Sequence, residues 1–345
     1  MEDWQKNLSK SVTRLDELPS HLCVDVGTLQ TVTDRYPLRI TPHYLSLIRT
    51  KDDPVWRQCI PDIREIEEDG LSADPLNEKG LSPVPDLIHR YPDRVVLLAS
   101  STCATFCRFC MRKHRFNQKT SMTESRLDAG LKYIERTPVI RDVILSGGDP
   151  FLLPDEILED LLSKLRGIPH VEIIRINTRI PVTLPERITP RLSRILKRFH
   201  PLYVNTHFNH PVEITEASRE ACHRLADAGI PLGNQTVLLK GVNDDLTVMK
   251  QLMQRLLTLR VRPYYIHQMD LVKGTGHFRT SVEKGLEIID ELQGFISGFA
   301  VPKFVIDAPK GGGKIPISTQ TILAKDETSY KIKNYLGKVY EYPIE

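Results

Sequence analysis

The sequence predicts an α/β fold, an incomplete barrel of six strand–helix units with an N-terminal, mainly helical region and a distinct C-terminal segment. Three observations support this prediction. Short apolar runs alternate with amphipathic stretches at intervals of about 30 residues, which is the pattern of βαβ units and a parallel sheet. A polar, proline-punctuated stretch precedes them. A glycine loop and β-type runs follow them.

Residues 1–90 are predicted to be an accessory region. Short helical patterns, such as residues 41–49, lie between prolines that interrupt any longer element. The prolines are Pro37, Pro42, Pro54, Pro61, Pro75, Pro83 and Pro85.

Residues 91–299 are predicted to form the barrel. The helix pattern 154–166 begins at Pro154, presents leucines on one face and stops at Gly167, and the pattern 213–228 ends before Gly229. We expect the active site at the carboxyl ends of the strands, as in other α/β barrels. The predicted strands are residues 94–100, 139–145, 172–178, 202–206, 235–239 and 260–266.

Residues 300–345 are predicted to be a C-terminal segment with a strand at 303–306, a glycine loop at 310–314 and a β-rich tail that includes 338–342. The composition, 40% hydrophobic and 26% charged, excludes disordered, collagen-like and disulfide-dense proteins. A net charge of +3 suggests no nucleic-acid or membrane partner. The polar N-terminus and the lack of a run of ~20 apolar residues predict a cytoplasmic protein.

Three of the six cysteines, Cys103, Cys107 and Cys110, lie within eight positions directly after the first barrel strand. Clustered thiolates favour an iron–sulfur cluster or zinc over hard cations. A closed site needs a fourth protein ligand, and His114 is poorly placed to be one. The spacing therefore predicts a cluster with one iron open to a small molecule, and structural zinc is the alternative.

Two glycine loops follow predicted strands. The first, Ser146, Gly147, Gly148 and Asp149, could let backbone amides approach a ligand. The second places Lys314 after three glycines, where free amides could bind a phosphate and the amine could form a Schiff base with pyridoxal phosphate (PLP). Each loop alone could also be an ordinary turn.

The CxxxCxxC pattern, with Phe109 before its last cysteine, resembles the signature of the radical S-adenosylmethionine (SAM) superfamily. The stretch DAPKGGGKIP at residues 307–316 narrows the resemblance to the lysine 2,3-aminomutase family, over residues 32–316. The resemblance implies a partial (βα)6 radical SAM barrel, a [4Fe–4S] cluster on the three cysteines, SAM on the open iron, and PLP. It assigns the remaining roles as follows: Lys314 binds PLP, Arg90 and Arg94 lie near the PLP phosphate, residues 146–149 contact the SAM amino group, and His207 and Gln235 lie near SAM.

The same resemblance implies an amino acid substrate, with its carboxylate on Arg112 and a lysine ε-ammonium between Asp270 and Asp307. Two carboxylates in a partly dry site also require a cation on physical grounds. The implied reaction converts L-lysine to β-lysine through a 5′-deoxyadenosyl radical and an azacyclopropyl intermediate. A reductase, flavodoxin or ferredoxin would supply the electron.

Several alternatives stay open. Clostridial members of the family carry a longer, zinc-binding C-terminal region, whereas no cysteine follows Cys222 here and Asp245 stands at a zinc-ligand position. We therefore expect no zinc and leave a homo-oligomer open. Glutamate, arginine or a lysine destined for elongation factor P would be alternative substrates. A non-catalytic iron–sulfur or zinc protein is the alternative of a different class.

Overall fold

The computed structural model describes residues 2–67, 70–115 and 124–344. Its N-terminal region contains short helices, each begun by a residue that fits that position. Pro42 and Pro54 occupy first-turn positions, where a missing N–H costs nothing, and Thr41 and Asp53 accept backbone hydrogen bonds as N-caps. Some of the prolines that interrupt the sequence pattern thus begin helices. These helices are α1 (Asp3–Ser9), α2 (Val26–Arg35), α3 (Pro42–Leu45) and α4 (Pro54–Cys59).

A nine-stranded sheet forms the centre of the molecule, with its strands adjacent in chain order. The six predicted barrel strands correspond to β2–β7, and β8 adds a seventh parallel strand beside β7. Strands β1 and β9 pair antiparallel at the two ends. The strands are β1 (Leu87–Tyr91), β2 (Arg94–Ser100), β3 (Asp142–Gly147), β4 (Ile173–Asn177), β5 (Leu202–Thr206), β6 (Leu232–Leu238), β7 (Val261–Gln268), β8 (Lys303–Ala308) and β9 (Gly313–Pro316).

Helices follow most of the parallel strands and bury their apolar stripes against the sheet. The predicted helices at 154–166 and 213–228 correspond to α6 and α9. At Gly285, in the helix that precedes β8, a Cβ atom would lie 2.2 Å from the Phe304 ring of β8, so the helix packs closely on the sheet. These helices are α5 (Glu124–Glu135), α6 (Asp155–Arg166), α7 (Ile180–Thr183), α8 (Pro190–Lys197), α9 (Glu216–Asp227), α10 (Leu246–Thr258) and α11 (Val282–Leu292).

The two ends of the sheet meet, so the barrel is nearly closed. Arg90 of β1 forms an ion pair with Asp307 of β8, with Nη1 and Oδ1 3.1 Å apart. The backbone N–H of Lys314 in β9 donates to the Tyr91 hydroxyl at 2.7 Å. The three segments predicted from the sequence therefore share one sheet, because the first contributes most of β1 and the last contributes β8 and β9.

A separate three-stranded antiparallel sheet ends the chain, with β10 (Ile322–Lys325), β11 (Ser329–Lys333) and β12 (Val339–Pro343). Every residue of β10 and β12 is exposed. Among the described residues, no helix is long and apolar enough to cross a membrane.

Candidate active site

The three predicted cluster cysteines lie on one loop after β2, at the carboxyl end of the parallel sheet. The backbone N–H of Cys110 donates to the Cys107 carbonyl at 3.1 Å, which curls the loop. Burial raises the pKa of the Cys103 thiol well above its ordinary value, and Cys110 raises it further. Burial also raises the pKa of Cys110 to about 11. Such thiols need a nearby metal to become thiolates.

Within residues 2–67, 70–115 and 124–344, no three Cys, His, Asp or Glu side chains converge as ligands of one metal ion. In an iron–sulfur cluster each cysteine can bind a different iron, so the sulfur atoms need not converge on one point. Three thiols on one curled loop fit that requirement.

Arg179, which follows β4, brings positive charge to this loop. Its Nη1–H donates to the Cys107 sulfur at 2.8 Å, and its guanidinium lies 5.2 Å from the centroid of the Phe109 ring. Glu213 holds the guanidinium from the other side, 2.8 Å from Nη2. A sulfur that accepts a hydrogen bond carries negative charge more easily, so Arg179 belongs to the candidate site although no local pattern singled it out.

The glycines after β3 bring that loop against the start of the cysteine loop. The N–H of Gly148 donates to the Ser100 carbonyl at 2.6 Å, and the N–H of Asp149 to the Thr102 carbonyl at 2.7 Å. A Cβ atom on Gly148 would lie 2.3 Å from the Thr102 oxygen, and Gly147 has a φ of +121°. The glycines therefore permit close contact between the two loops. The backbone N–H groups of Gly148 and Asp149 already donate to carbonyls of the cysteine loop and the end of β2.

The side chain of Asp149 also points into the protein. Its carboxylate accepts hydrogen bonds from the Thr178 hydroxyl and the Arg179 backbone N–H, both at 2.7 Å, and from the Phe151 N–H at 3.1 Å. Burial raises its pKa to about 6. Asp149 thus ties the loop after β3 to the residue that contacts Cys107, which is a positioning contact.

A buried ionic group fastens the cysteine loop to the N-terminal region. Glu65 accepts from Arg108 Nε at 2.9 Å and lies 2.6 Å from Lys113 Nζ, with all three side chains inaccessible to solvent. Burial lowers the pKa of Lys113 to about 8, and Glu65 opposes that shift. Because Arg108 and Lys113 flank Cys110, this group fixes the loop on both sides of its last cysteine.

Lys314, the predicted PLP lysine, lies on β9 directly across from Asp307 of β8. Its Nζ donates to Asp307 Oδ2 at 2.6 Å. The predicted glycine loop is a tight turn that leads into this strand. Gly313 has a φ of +86°, and a Cβ atom there would lie 3.0 Å from the Tyr91 hydroxyl. Glycine therefore lets the strand that carries Lys314 approach Tyr91.

Charged groups surround the Lys314 amine. The Nε atom of Arg90 is buried without a hydrogen-bond partner, although its Nη1 pairs with Asp307. Burial opposes ionisation of Asp307, but His267 and Lys314 hold its pKa well below the ordinary value. Burial and the charge of Asp307 raise the pKa of Asp270 to about 7. Asp270 and Asp307, which are predicted to bind an ammonium group, are thus close enough to repel each other. A cation between the two carboxylates would relieve that repulsion.

Arg112, the predicted carboxylate ligand, is held by a partner that the sequence did not indicate. Its Nε and Nη2 donate to the two oxygens of Glu78 at 2.9 and 2.6 Å. Its Nη1 reaches toward the Ser146 hydroxyl at 3.5 Å. Burial disfavours its charge, but Glu78, and to a smaller extent Asp270, keep the pKa of Arg112 above its ordinary value. The structure therefore brings Arg112, Ser146 and Asp270 into one region.

Histidine nitrogens without partners also lie in this region. The ring of His207 packs edge-on against Phe109, with centroids 5.5 Å apart, and its Nε2 is buried without a hydrogen-bond partner. Gln235 of β6 lies opposite Tyr265 of β7. Tyr265 precedes His267 by two positions in the strand, so Gln235 and His267 lie on the same face of the sheet. The Nε2 of His267 is likewise unpaired. Each of these two nitrogens can bind a polar ligand group or a water molecule.

Arg94 stands apart from the other predicted residues. It is the first residue of β2, at the opposite end of that strand from the cysteine loop. Its Nη1 pairs with Asp93 at 2.8 Å, and its guanidinium lies 3.9 Å from the Tyr91 ring centroid. Its connection to Lys314 is indirect and runs through Tyr91.

Comparison with known proteins agrees with this geometry. Residues 97–252 match the model of the Radical SAM superfamily, and residues 289–345 match that of Lysine-2,3-aminomutase. The chain is 48% identical to the L-lysine 2,3-aminomutase of Fusobacterium nucleatum subsp. nucleatum, over 99% of this chain and 82% of that protein. It is 49% identical to the L-lysine 2,3-aminomutase of Clostridium subterminale, over 99% of this chain and 83% of that protein. The chain belongs to the lysine 2,3-aminomutase family.

Membership of the lysine 2,3-aminomutase family makes the chain an isomerase of the radical SAM class, with a [4Fe–4S] cluster and SAM as cofactors. It confirms the predicted α/β partial barrel and the predicted resemblance. Glutamate 2,3-aminomutase from Clostridioides difficile is also similar, 43% identical over 100% of this chain and 84% of that protein. Relatives named for lysine and for glutamate are thus both similar to this chain.

Proposed function

We propose that the chain converts L-lysine to β-lysine, using PLP together with SAM and the cluster. The observation that carries this proposal is the grouping of Lys314, Asp307 and Asp270 at the barrel mouth, with Arg112 in the same region. An amine, a pair of carboxylates and a guanidinium match the groups of a PLP-bound lysine. Several relatives named L-lysine 2,3-aminomutase, 47–49% identical, support the proposal.

The residues around Lys314 fit a bound PLP. PLP acts as an electron sink and stabilises a substrate radical when it is bound. Lys314 offers the amine that would hold it, and Arg90 offers a buried Nε without a partner for an anionic phosphate. The Tyr91 hydroxyl fixes the backbone of Lys314, so the amine projects from a defined point of β9. We assign Arg94 an indirect role at the phosphate site, through its contact with the Tyr91 ring.

The residues around the cysteines fit an iron–sulfur cluster and SAM. Cys103, Cys107 and Cys110 would ligate the cluster, and Arg179 donates to one of these sulfurs. His207 presents an unpaired Nε2 beside Phe109, where it could bind a polar group of SAM. We keep Ser146, Gly147, Gly148 and Gln235 as proposed SAM contacts. Asp149 would act on the same site by positioning Arg179.

The charges favour lysine over glutamate as the substrate. Asp270 and Asp307 would bind an ε-ammonium, whereas the side-chain carboxylate of glutamate would add a third negative charge between them. Arg112 would bind the α-carboxylate through the edge of its guanidinium that Glu78 leaves free. The site thus distinguishes the two ends of lysine by charge.

The decisive experiment is anaerobic incubation of reconstituted protein with SAM, PLP and a reductant, in separate samples with L-lysine, L-glutamate and L-arginine. Chiral analysis should detect β-lysine from L-lysine. A β-amino acid from glutamate or arginine alone would assign a different substrate, and no product from any amino acid would refute the aminomutase proposal.

Two variants separate the parts of the proposal. Lys314→Ala should lose the absorption of lysine-bound PLP and keep its iron. Asp270→Lys should abolish lysine turnover because a cation would replace the partner of the ε-ammonium. Full lysine activity in Asp270→Lys would contradict the assigned substrate contacts.

We also propose a cytoplasmic location and an electron donor of the reductase, flavodoxin or ferredoxin class. The cysteines among the described residues are free thiols, which suits a reducing compartment. The exposed apolar residues of β10 and β12 support a homo-oligomer, because contact with a second chain would remove their apolar surface from water.

A further inference from the structure

Glu78 occupies one edge of the Arg112 guanidinium with both of its carboxylate oxygens. Arg112 Nε lies 2.9 Å from Oε2, and Nη2 lies 2.6 Å from Oε1. The side chains are largely buried, with 16% and 12% of their surfaces exposed. A paired contact of this kind fixes the plane of the guanidinium as well as its distance.

A guanidinium offers a carboxylate two edges. Glu78 fills the edge formed by Nε and Nη2, and the edge formed by Nη1 and Nη2 remains. Nη1 points toward the Ser146 hydroxyl at 3.5 Å, which is too long for a strong hydrogen bond. The free edge therefore faces the region that contains the loop after β3, and its direction is set by Glu78.

The backbone of Glu78 is itself fixed. Its N–H donates to Asp74 Oδ1 at 2.8 Å, and its carbonyl accepts from the Ser82 hydroxyl at 2.7 Å. A carboxylate on a backbone held at both polar groups moves little when a ligand arrives nearby.

The segment that carries Glu78, residues 70–86, is also attached to the barrel mouth, and we call it the mouth strap. Lys273 N–H, after β7, donates to the Ser72 carbonyl at 2.9 Å, and Lys310 N–H, after β8, donates to the Pro75 carbonyl at 2.8 Å. Leu76, the residue after the second attachment, is buried. The strap is therefore anchored to the loops that lie next to Asp270 and Asp307.

We propose that Glu78 is a positioning residue for substrate binding, one that holds the free edge of Arg112 toward the α-carboxylate of the amino acid. The inference rests on the proposed role of Arg112 as the carboxylate ligand. Glu78 remains paired while substrate is bound, since releasing it would leave a largely buried carboxylate without its partner. The substrate carboxylate then takes the second edge of the same guanidinium.

The test compares Glu78→Gln with the reconstituted parent enzyme. Glutamine keeps the size of the side chain but can accept from only one of the two donor groups, so Arg112 loses its fixed plane. We expect the KM for L-lysine to rise about tenfold and kcat to change less than about threefold, as loss of a charge-assisted contact predicts. The inhibition constant of L-lysinamide, which lacks the carboxylate, should stay within about twofold.

Glu172→Gln is the matched control, because Glu172 pairs in the same two-oxygen manner with Arg141 on the exposed surface. It should leave KM unchanged. PLP and iron contents report whether Glu78→Gln keeps its cofactors. If Glu78→Gln loses PLP or iron, Glu78→Asp replaces it as the test. The shorter carboxylate should raise the KM for L-lysine with full cofactor content. An unchanged KM in Glu78→Asp would overturn the proposal.

An unchanged KM in Glu78→Gln with full cofactor content would also overturn the proposal. A lower KM would overturn it too, because it would mean that Glu78 competes with the substrate for Arg112. Arg112→Lys separates this failure from that of the proposed function. A raised KM in Arg112→Lys with no effect of Glu78→Gln would remove only the role of Glu78. An unchanged KM in Arg112→Lys would show that the carboxylate binds elsewhere.

Discussion

The surroundings of Asp270 alter its ionisation near neutral pH. Its pKa rises from 3.8 to about 7 through burial and the charge of Asp307. Between these two values the folded protein keeps a proton that the unfolded chain has released, so the free energy of unfolding falls as pH rises through this window. The substitution Asp270→Asn removes this loss of unfolding free energy, because asparagine does not ionise.

We therefore predict that Asp270→Asn stabilises the cofactor-free protein, and that its advantage grows by about 2 kcal/mol between about pH 5 and pH 8. Urea unfolding of both proteins at the two pH values measures it. Asp227→Asn, at an exposed carboxylate paired with Arg260, is the control and should show no such growth. An advantage independent of pH would contradict the raised pKa of Asp270.

Arg179 should tune the proposed cluster. Its Nη1–H donates to the Cys107 sulfur, and this bond strengthens when reduction adds negative charge. Arg179→Met should therefore lower the reduction potential by about 40 mV, the equivalent of about 1 kcal/mol for one electron. A redox titration followed by electron paramagnetic resonance measures the change.

Arg255→Met provides the comparison for Arg179→Met, since Arg255 donates to the backbone carbonyls of Pro211 and Ile214, before α9. It should leave the potential unchanged. Arg179→Lys keeps the charge and should give an intermediate value. Equal potentials in the parent and Arg179→Met, at equal iron content, would show that the contact to Cys107 does not affect the cluster.

At the scale of elements, the strands were predictable and the contacts between them were not. Strands β2–β7 are short apolar runs flanked by helical patterns, and this local signal is enough to place them. Strand β1 has no such signal, because Leu87–Tyr91 contains both apolar and charged residues. This segment is a strand because it pairs with β2, the next strand along the chain. The glycine turn before Lys314 is evident from the sequence, but its continuation as a strand depends on pairing with β8.

The candidate site shows the same division between local and distant signals. The cysteines and Lys314 lie in motifs that can be read along the chain. Glu78 and Arg179 gain their roles from partners 34 and 72 positions away in the sequence. His267 is distinguished by its contact with Asp307, 40 positions away, where Nδ1 and Oδ2 are 3.5 Å apart, and by its unpaired Nε2. No spacing rule in a single sequence reports such contacts.

The β8–β9 hairpin gives a prediction of its own. Gly313→Ala would force an alanine into a φ of +86° and bring its Cβ against the Tyr91 hydroxyl. The free energy of unfolding should fall by about 1–2 kcal/mol, and PLP content should fall with it because Lys314 is the next residue. Absorption spectra and urea unfolding measure the two effects. Gly298→Ala, which meets no atom within 4 Å, should change neither.

The whole molecule is organised by where the ends of its large sheet meet. Arg90 and Tyr91 of β1 contact Asp307 and Lys314 of β8 and β9, so the contacts that nearly close the barrel also arrange the amine proposed to hold PLP. Barrel closure and the proposed PLP site are therefore one structural feature. Changes at these positions should affect both together.

Among the described residues, the C-terminal sheet exposes several large apolar side chains together. A three-stranded sheet normally buries one apolar face, yet the residues of β10 and β12 are exposed on both faces. Its large apolar side chains include Leu323, Val339 and Tyr342, with Val339 and Tyr342 exposed over 53% and 63% of their surfaces. Contact with a second copy of the chain would cover them.

We predict that Val339→Lys combined with Tyr342→Lys converts an oligomer to a smaller species, because two lysines would need to be buried unpaired in the interface. Sedimentation velocity of the reconstituted protein measures the mass. The barrel and PLP content should be retained, since β12 belongs to a different sheet from Lys314. Val139→Lys, at a similarly exposed valine outside this sheet, is the control. If the parent protein and the double variant are both monomers, the exposed sheet is not an interface between copies of this chain.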